Sequence, residues 1–222
     1  QVVNALTQDG VIRTDLRTSF GTLNPVADGL QLDLELTLVN ADGCTPLEGY
    51  AIYLWHCDTT GNYSLYDITD ANYLRGVGIA DGEGKVRFKT IFPGCYDGRW
   101  PHFHFEIFES IEAAVSGEAS VLTAQIALPE ADCADVYAAD SRYANGTRNL
   151  GRISLSSDNV FKDNSAEQIA QQTLALTGEP QTGYAGTLTI PVDLTAERSA
   201  GGMMAPPDGM GVGGPPPDLP SS

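Results

Sequence analysis

The sequence predicts a mainly β protein, an antiparallel β-sandwich with one short helix and irregular segments at both ends. Three observations lead to this prediction. Apolar and polar residues alternate over residues 30–38, further short strand-like runs follow, and Gly, Asn and Asp turns separate them. A chain of 222 residues has room for one domain with a full core. We expect that domain over residues 30–195, after an arm over residues 1–29 and before a flexible tail over residues 196–222.

Seven segments have the composition of strands and are bounded by turn-forming residues. In chain order they are residues 30–38, 49–56, 76–80, 85–91, 102–108, 120–128 and 186–194. The turn at residues 81–84 is of the kind that joins antiparallel strands, so it predicts a hairpin. The segments before and after residues 109–119 form a second predicted pair. Pro191 places the last strand at a sheet edge, because proline cannot donate a hydrogen bond to a neighbour.

One helix and a tail complete the predicted organisation. Ser165 and Gln168 have the spacing of a capping box, which predicts a helix over residues 166–176. From Ala196 onwards the sequence is rich in Gly, Pro and Met. Such a segment cannot bury enough apolar surface to fold, so we expect it to be flexible.

The composition argues against some classes of partner. A formal net charge of −17 disfavours nucleic acids and anionic membranes, both of which bind basic surfaces. No run approaches the ~20 apolar residues that a membrane span needs. The chain opens at QVVNALTQDG, without an initiating methionine or a visible signal peptide. We therefore expect a secreted protein whose signal peptide has been removed.

The cysteines point to disulfides. Cys44, Cys57, Cys95 and Cys133 include no C-x-x-C pair, which argues against a zinc ribbon. In a secreted protein, two disulfides are favoured over buried thiols, and three connectivities are possible. Cys57 and Cys95 each lie close in sequence to a candidate metal-binding residue, so a disulfide from either would brace that site.

Two short runs, WHCDTTGNY and PGCYDGRWPHFH, supply two tyrosines and two histidines that can surround one metal ion. His102 and His104 are two residues apart, so on a strand both imidazoles project from the same face. Tyr96 lies six residues before His102, and Tyr63 ends the first run. Two imidazoles and two phenolates suit a hard, highly charged ion such as Fe(III). Zinc would favour thiolates or a third histidine.

The stretches PLEGYAIYLWHCDTTGNYS, GEGKVRFKTIFPGCYDGRWPHFHFEIF and LTAQIAL resemble the intradiol ring-cleavage dioxygenases. This is the non-haem Fe(III) family that includes catechol and protocatechuate dioxygenases. The resemblance covers about residues 30–130. It implies that Tyr63 and Tyr96 are the equatorial and axial tyrosinate ligands, and that His102 and His104 are the two histidine ligands.

The resemblance also implies an activity. Fe(III) would bind a catechol as a dianion and promote cleavage by O₂ between the two hydroxyl-bearing carbons, giving a muconate-type dicarboxylate. Tyr96 would leave the ion and take up a proton. Arg99 would stabilise negative charge on the ring oxygens, and Gln125 would hydrogen-bond the substrate. From the sequence alone, a surface salt bridge and an ordinary strand glutamine stay open for these last two residues.

Only five residues separate Tyr96 from His102, where catechol and protocatechuate dioxygenases carry a longer insertion. The short form resembles a secreted branch associated with lignin degradation. It implies an open pocket and activity on several diols, such as catechol, protocatechuate and hydroxyquinol. Tyr53, Trp55 and Trp100 could line that pocket, although strand aromatics more often belong to the core. The helical dimerisation domain of some catechol dioxygenases is missing, which favours a monomer.

Two other interpretations stay open. A non-catalytic β-sandwich module for binding or adhesion explains the strands and the acidic surface, but not the clustering of Tyr, His and Arg in the same loops. A different metalloenzyme would bind copper or zinc through His102, His104 and His56. On a strand, however, His56 faces away from Trp55 and Cys57, and the pattern of the dioxygenase family does not use it.

Overall fold

Two four-stranded β-sheets pack face to face in the part of the chain that the structure describes, residues 5–196. The structure is a computed structural model. The strands are β1 (Gln31–Asn40), β2 (Ala51–Trp55), β3 (Arg75–Ile79), β4 (Lys85–Ile91), β5 (His102–Phe108), β6 (Leu122–Ala127), β7 (Ala175–Glu179) and β8 (Gly183–Val192). The first sheet has the order β4-β1-β8-β7 and the second has the order β3-β2-β5-β6. The predicted β-sandwich is confirmed.

The core lies between the two sheets, and β1 shows why. Its leucines at every second position, from Leu32 to Leu38, are at most 2% exposed, whereas Gln31 and Asp33 face solvent. They pack against Ile52, Leu54 and their neighbours on the inner face of the second sheet. Burial of each such side chain stabilises the fold by roughly 1.5–3 kcal/mol. The alternation in the sequence therefore fixes which face of β1 is buried.

The outer face of the second sheet is covered as well. All five residues of β2 are buried, because the N-terminal segment and a loop after β2 pack over that face. Tyr53, Trp55 and Val77 from the sheet form one apolar cluster with Val11 and Phe20 of the N-terminal segment. The part of this outer face that β2 forms is therefore enclosed by protein.

Four α-helices lie in the described residues: α1 (Ile111–Ser116), α2 (Glu130–Ala139), α3 (Gly146–Leu150) and α4 (Ala166–Gln172). The predicted capping box of α4 is confirmed. Ser165 Oγ accepts from Gln168 N, and Gln168 Oε1 accepts from Ser165 N at 2.8 Å. The helix ends at Gln172, four residues before the predicted end, because the chain then forms β7. The other three helices were not predicted.

The predicted hairpin at residues 81–84 is wrong. β3 and β4 belong to different sheets, so this turn carries the chain from one sheet to the other. The edge position predicted for the last strand is also wrong. β8 lies between β1 and β7 and runs parallel to β1. Pro191 is tolerated there because it lies in the half of β8 that extends beyond its pairing with β7, which ends at Thr187.

The four cysteines are free, so the prediction of two disulfides is wrong. Cys44 is exposed, and Cys57, Cys95 and Cys133 are buried. Burial raises the pKa of each buried thiol, which keeps the three side chains neutral. They act as small apolar residues.

The N-terminal segment runs along the edges of both sheets. Ile12 forms a bridge with Val77 on β3, and Asp15 forms one with Lys89 on β4. Arg13 donates from Nε to the carbonyl oxygen of Arg75 at 3.0 Å, which fixes the segment against β3. Residues 197–222, and with them almost all of the predicted tail, lie outside the described residues. No helix within residues 5–196 has the length and hydropathy to span a membrane.

Candidate metal centre

The register of the second sheet brings four side chains into one row across its four strands. Trp55 on β2 lies opposite Arg75 on β3 and His104 on β5, and Gln125 on β6 lies opposite His104. Directly opposed residues project from the same face of a sheet. This face is the outer one, because Ile52 and its neighbours on the inner face pack against the first sheet.

The two histidines of β5 project together from this outer face, as their spacing predicts. His102 and His104 are 1% and 2% exposed, and their Nε2 atoms are 3.0 Å apart. The Nδ1 atom of His102 lies 2.5 Å from the carbonyl oxygen of Trp100. A proton on Nδ1 that is donated to this oxygen leaves the Nε2 lone pair free for a ligand.

Two tyrosines from different loops complete the cluster. Tyr63 lies in the loop between β2 and β3, and Tyr96 lies in the connection between β4 and β5. Tyr63 Oη lies 3.4 Å from Tyr96 Oη, 3.4 Å from His102 Nε2 and 3.0 Å from His104 Nε2. Tyr96 Oη lies 3.4 Å from His102 Nε2. The structure thus brings together all four residues that the sequence proposed as ligands.

The spacing of these donor atoms fits a single ion. Four donors about 2.1 Å from an ion in a tetrahedral arrangement lie about 3.4 Å from one another. Five of the six separations among the donor atoms here are 3.0–3.4 Å. Within residues 5–196, no group of three or more His, Cys, Asp or Glu side chains has a metal-binding arrangement, so the phenol oxygens are needed for a four-donor site.

Two glycines allow the loops that carry the tyrosines to meet. Gly61 has a φ of +90°, and a Cβ there would lie 2.6 Å from the Cβ of Tyr96. At Gly94 a Cβ would lie 2.5 Å from the carbonyl oxygen of Thr59. The carbonyl oxygen of Asp58 accepts hydrogen bonds from the N–H groups of both glycines, at 3.1 and 3.0 Å. The two loops therefore pack backbone against backbone.

Burial sets the charge of the four candidate ligands. It raises the pKa of Tyr96 to about 12 and raises that of Tyr63 well above its usual value. It lowers the pKa of His102 to about 4 and that of His104 well below its usual value. All four side chains are neutral near pH 7 in the absence of a cation. A bound cation favours the phenolates, because it offsets the cost of burying negative charge.

Arg99 and Gln125 lie beside the cluster and contact each other. Arg99 Nη2 donates to Gln125 Oε1 at 2.5 Å, and Gln125 Nε2 lies 3.4 Å from His104 Nδ1. Arg99 Nε donates to Asp158 Oδ2 at 2.9 Å. The side chains of Arg99 and Asp158 are 5% and 0% exposed, so this ion pair is buried. The interpretation of Arg99 as part of a surface salt bridge is therefore wrong.

Three residues that contact the candidate ligands or their neighbours were not identified in that role from the sequence. Asp158, in the segment between α3 and α4, also accepts from Trp100 N at 2.8 Å, and no motif in the sequence marks it. Arg75 shares the row of His104 only through the sheet register. Trp55 stacks on His104 with ring centroids 4.9 Å apart and ring planes 7° from parallel. Of these, the sequence singled out only Trp55, as an aromatic for the pocket or the core.

The alternative metal set that includes His56 is not formed. His56 Nε2 lies 2.6 Å from Thr90 Oγ1, and its Nδ1 lies 2.8 Å from the carbonyl oxygen of Cys57. Burial lowers the pKa of His56 to about 3, so the ring is neutral. Both of its nitrogens are committed to protein partners.

Comparison with known proteins finds several that are similar to this chain. A family model described as Dioxygenase matches residues 14–116, a region that contains the four candidate ligands and Arg99 but ends before Gln125. An intradiol ring-cleavage dioxygenase from Tetranychus urticae has a similar structure, with a TM-score of 0.67. Over residues 14–116 the chain is similar to the Dioxygenase family, and its fold is similar to that of the Tetranychus urticae protein. The Tetranychus urticae structure is 23% identical in sequence, over 85% of this chain and 90% of that chain.

Two further proteins are similar to this chain. The dioxygenase domain of a dioxygenase–carbohydrate-binding fusion protein from Streptomyces sp. SirexAA-E has a TM-score of 0.52 and 22% identity, over 82% of this chain and 88% of that chain. Catechol 1,2-dioxygenase 1 from Acinetobacter lwoffii is 33% identical over 98 residues, which are 43% of this chain and 29% of that protein. The chain thus aligns with less than a third of the length of this curated relative.

Proposed function

We propose that this protein is a non-haem Fe(III) intradiol dioxygenase. It cleaves catechol-type diols with O₂ between the two hydroxyl-bearing carbons and releases muconate-type dicarboxylates. One observation carries the proposal: the donor atoms of Tyr63, Tyr96, His102 and His104 converge in a buried site, where five of their six separations are 3.0–3.4 Å. A non-catalytic binding module gives no reason for this convergence.

The four side chains fit Fe(III) because phenolates are hard anionic donors and the imidazoles supply neutral ones. Tyr63, Tyr96, His102 and His104 would hold the ion. When bound, the ion supplies a Lewis acid that ionises a diol and makes its ring reactive towards O₂.

Tyr96 is the ligand best placed to exchange for substrate. It is half-buried, whereas Tyr63 is only 2% exposed and contacts both histidines. Movement of Tyr96 therefore disturbs fewer contacts, and its phenolate can take up a proton from the incoming diol. Tyr63 stays in place with the two histidines.

Arg99 supplies a permanent positive charge beside the site. Asp158 and Gln125 hold its guanidinium from two sides. Because little reorientation is needed during the reaction, this charge can stabilise negative charge that develops on the ring oxygens. Gln125, in contact with both Arg99 and His104, links the cation to the ligand set.

The proposal extends to substrate range and location. Only five residues connect Tyr96 to His102, which supports an open pocket that accepts catechol, protocatechuate and hydroxyquinol. We propose a monomer that acts outside the cell on aromatic compounds and binds neither nucleic acids nor membranes, in accord with the net charge of −17. Inactivity of the iron-loaded protein on all three diols would contradict the broad range.

The test is a visible absorption spectrum with iron analysis, before and after anaerobic addition of catechol. We expect a broad band from tyrosinate bound to Fe(III), which moves to longer wavelength when catechol is added. Tyr63→Phe and Tyr96→Phe should each shift or remove this band. Tyr184→Phe is the matched control, since Tyr184 packs against Phe92 in the core away from the site. A protein that stays colourless after iron reconstitution would refute the proposal.

A further inference from the structure

Arg75 is only 2% exposed and is one of the largest fully buried side chains in the described residues. The proposed mechanism does not use it. It begins β3 and lies opposite Trp55. Its guanidinium donates from Nε to Ser64 Oγ at 3.0 Å, from Nη2 to the carbonyl oxygen of Ser64 at 2.5 Å, and from Nη1 to Tyr53 Oη at 2.9 Å. These three bonds hold the guanidinium in one orientation.

Among the described residues, Arg75 has no acidic partner to offset its burial. Within residues 5–196 it takes part in no salt bridge, although eight others form there. The nearby Arg13 carries the same charge. A buried charge without a counterion costs several kcal/mol, and an apolar side chain of similar size is often cheaper. Stability alone therefore does not account for an arginine at this position.

The backbone on both sides of this contact is strained. Leu65, which follows Ser64, has a φ of 68°, and Leu74, which precedes Arg75, has a φ of 56°. Left-handed backbone at a non-glycine residue costs of order 1–3 kcal/mol. Such strain persists only where surrounding contacts enforce it, and it clusters at functional sites. Ser64 and Arg75 are therefore each next to a residue whose strained backbone conformation is enforced by surrounding contacts.

Two short routes lead from Arg75 to the candidate ligands. Through Ser64 it holds both the side chain and the backbone of the residue that follows Tyr63. Through the hydroxyl of Tyr53 it holds a stack of rings. Tyr53 stacks on Trp55 at 4.8 Å between centroids, and Trp55 stacks on His104 at 4.9 Å. One guanidinium thus braces a loop ligand and a strand ligand together.

We propose that Arg75 is a positioning residue that fixes the separation of Tyr63 and His104. The inference rests on the proposed function, because this separation matters for reactivity only if both residues bind one ion. Asp158 and Gln125 support the opposite side of the site through Arg99. The candidate centre is thus held between two buried arginines, of which only Arg99 is paired with a carboxylate.

The experiment compares wild type with Arg75→Met, Arg75→Lys, Ser64→Ala and Tyr53→Phe, in crystal structures of the iron-free proteins and in Fe(III) titrations. In Arg75→Met we expect the 3.0 Å distance between Tyr63 Oη and His104 Nε2 to open by about 1 Å. Fe(III) affinity should fall by about 10- to 100-fold, as for other residues that orient metal ligands. Arg75→Lys keeps the positive charge but lacks the forked guanidinium. Its Fe(III) affinity should therefore fall, but by less than in Arg75→Met.

Ser64→Ala and Tyr53→Phe each remove one side-chain contact of Arg75 and keep the arginine itself. Ser64→Ala should disturb the Tyr63 side and shift the tyrosinate band, and Tyr53→Phe should loosen the Trp55–His104 stack. Arg142→Met is the control, since Arg142 pairs with Asp28 and Asp140 away from the site. An unchanged distance and affinity in Arg75→Met would overturn the proposal. If that variant does not fold, unchanged values in both Ser64→Ala and Tyr53→Phe would overturn it.

The same data separate this inference from the proposed function. If the wild type binds no Fe(III) but the distance opens in Arg75→Met, the proposed function fails and the positioning role stands. If the wild type binds Fe(III) and the variants match it in distance and affinity, the positioning role fails and the proposed function stands.

Discussion

At the scale of single residues, the orientation of Arg99 depends on Asp158. This carboxylate accepts from Arg99 Nε and Trp100 N through Oδ2, and from Val160 N through Oδ1. Burial alone raises the pKa of Asp158, but these donors outweigh burial and hold the pKa below its usual value. The carboxylate is therefore ionised at neutral pH and neutralises a cation in a site without water-like screening.

We predict that Asp158→Asn lowers the free energy of unfolding by about 3–5 kcal/mol, because it leaves the buried guanidinium without a counterion. Misplacement of Arg99 should also reduce kcat by up to about 100-fold, with a smaller effect on KM. Urea unfolding and steady-state kinetics with catechol measure the two effects. Glu35→Gln is the control. Its partly exposed pairs with Lys85 and Arg87 should each contribute less than about 1 kcal/mol. Equal effects of the two substitutions would contradict the role of Asp158.

At the scale of elements, the two loops that carry Tyr63 and Tyr96 depend on Gly61. We predict that Gly61→Ala weakens Fe(III) binding, because its Cβ would meet the Cβ of Tyr96 at 2.6 Å and push the loops apart. Gly43→Ala is the matched control, since Gly43 has a similar φ of +82° with nothing within 4 Å of its added Cβ. Left-handed backbone at alanine should cost both variants about 1–2 kcal/mol of stability, but only Gly61→Ala should lower the affinity measured in Fe(III) titrations. Normal Fe(III) affinity in Gly61→Ala would contradict the prediction.

The elements also show what the sequence could and could not predict. β4 and β5 have the predicted bounds, and the capping box at Ser165 was predicted, because alternation and caps are local signals. The hairpin at residues 81–84 was wrong because the same turn can join strands of one sheet or of two. Which sheet each strand joins depends on packing between distant segments.

The candidate site likewise contains residues that local sequence patterns predict and residues that they do not. The spacing of His102 and His104 on one strand revealed the histidines, and the short runs around them revealed the tyrosines. Asp158 and Arg75 reach the site from distant parts of the chain, through a loop contact and a sheet register that no local pattern encodes. The disulfide prediction failed for a related reason. Burial in the folded core, rather than cysteine count, decides the state of Cys57, Cys95 and Cys133.

At the scale of the whole molecule, the three histidines couple stability to pH. His56, His102 and His104 are all buried, and burial lowers the pKa of each, to about 3 for His56 and about 4 for His102. In the unfolded chain each has a pKa near 6.5. Below pH 6.5 the unfolded state therefore binds more protons than the folded state. Stability is full above that pH and is lost as the pH falls.

We predict that the iron-free protein loses roughly 3–4 kcal/mol of unfolding free energy between pH 7.5 and pH 5.5, of the order of 1 kcal/mol for each histidine. Most carboxylates change little over this range, because their usual pKa values lie near 4. Burial raises the pKa of Glu106, which opposes the loss. Urea unfolding at the two pH values measures the loss. His56→Gln removes one titrating group outside the proposed ligand set, so the loss in this variant should be smaller than in wild type by about 1 kcal/mol. A loss that is the same in wild type and His56→Gln would show that His56 is accessible to protons in the folded state, contrary to its burial between Thr90 and Phe103.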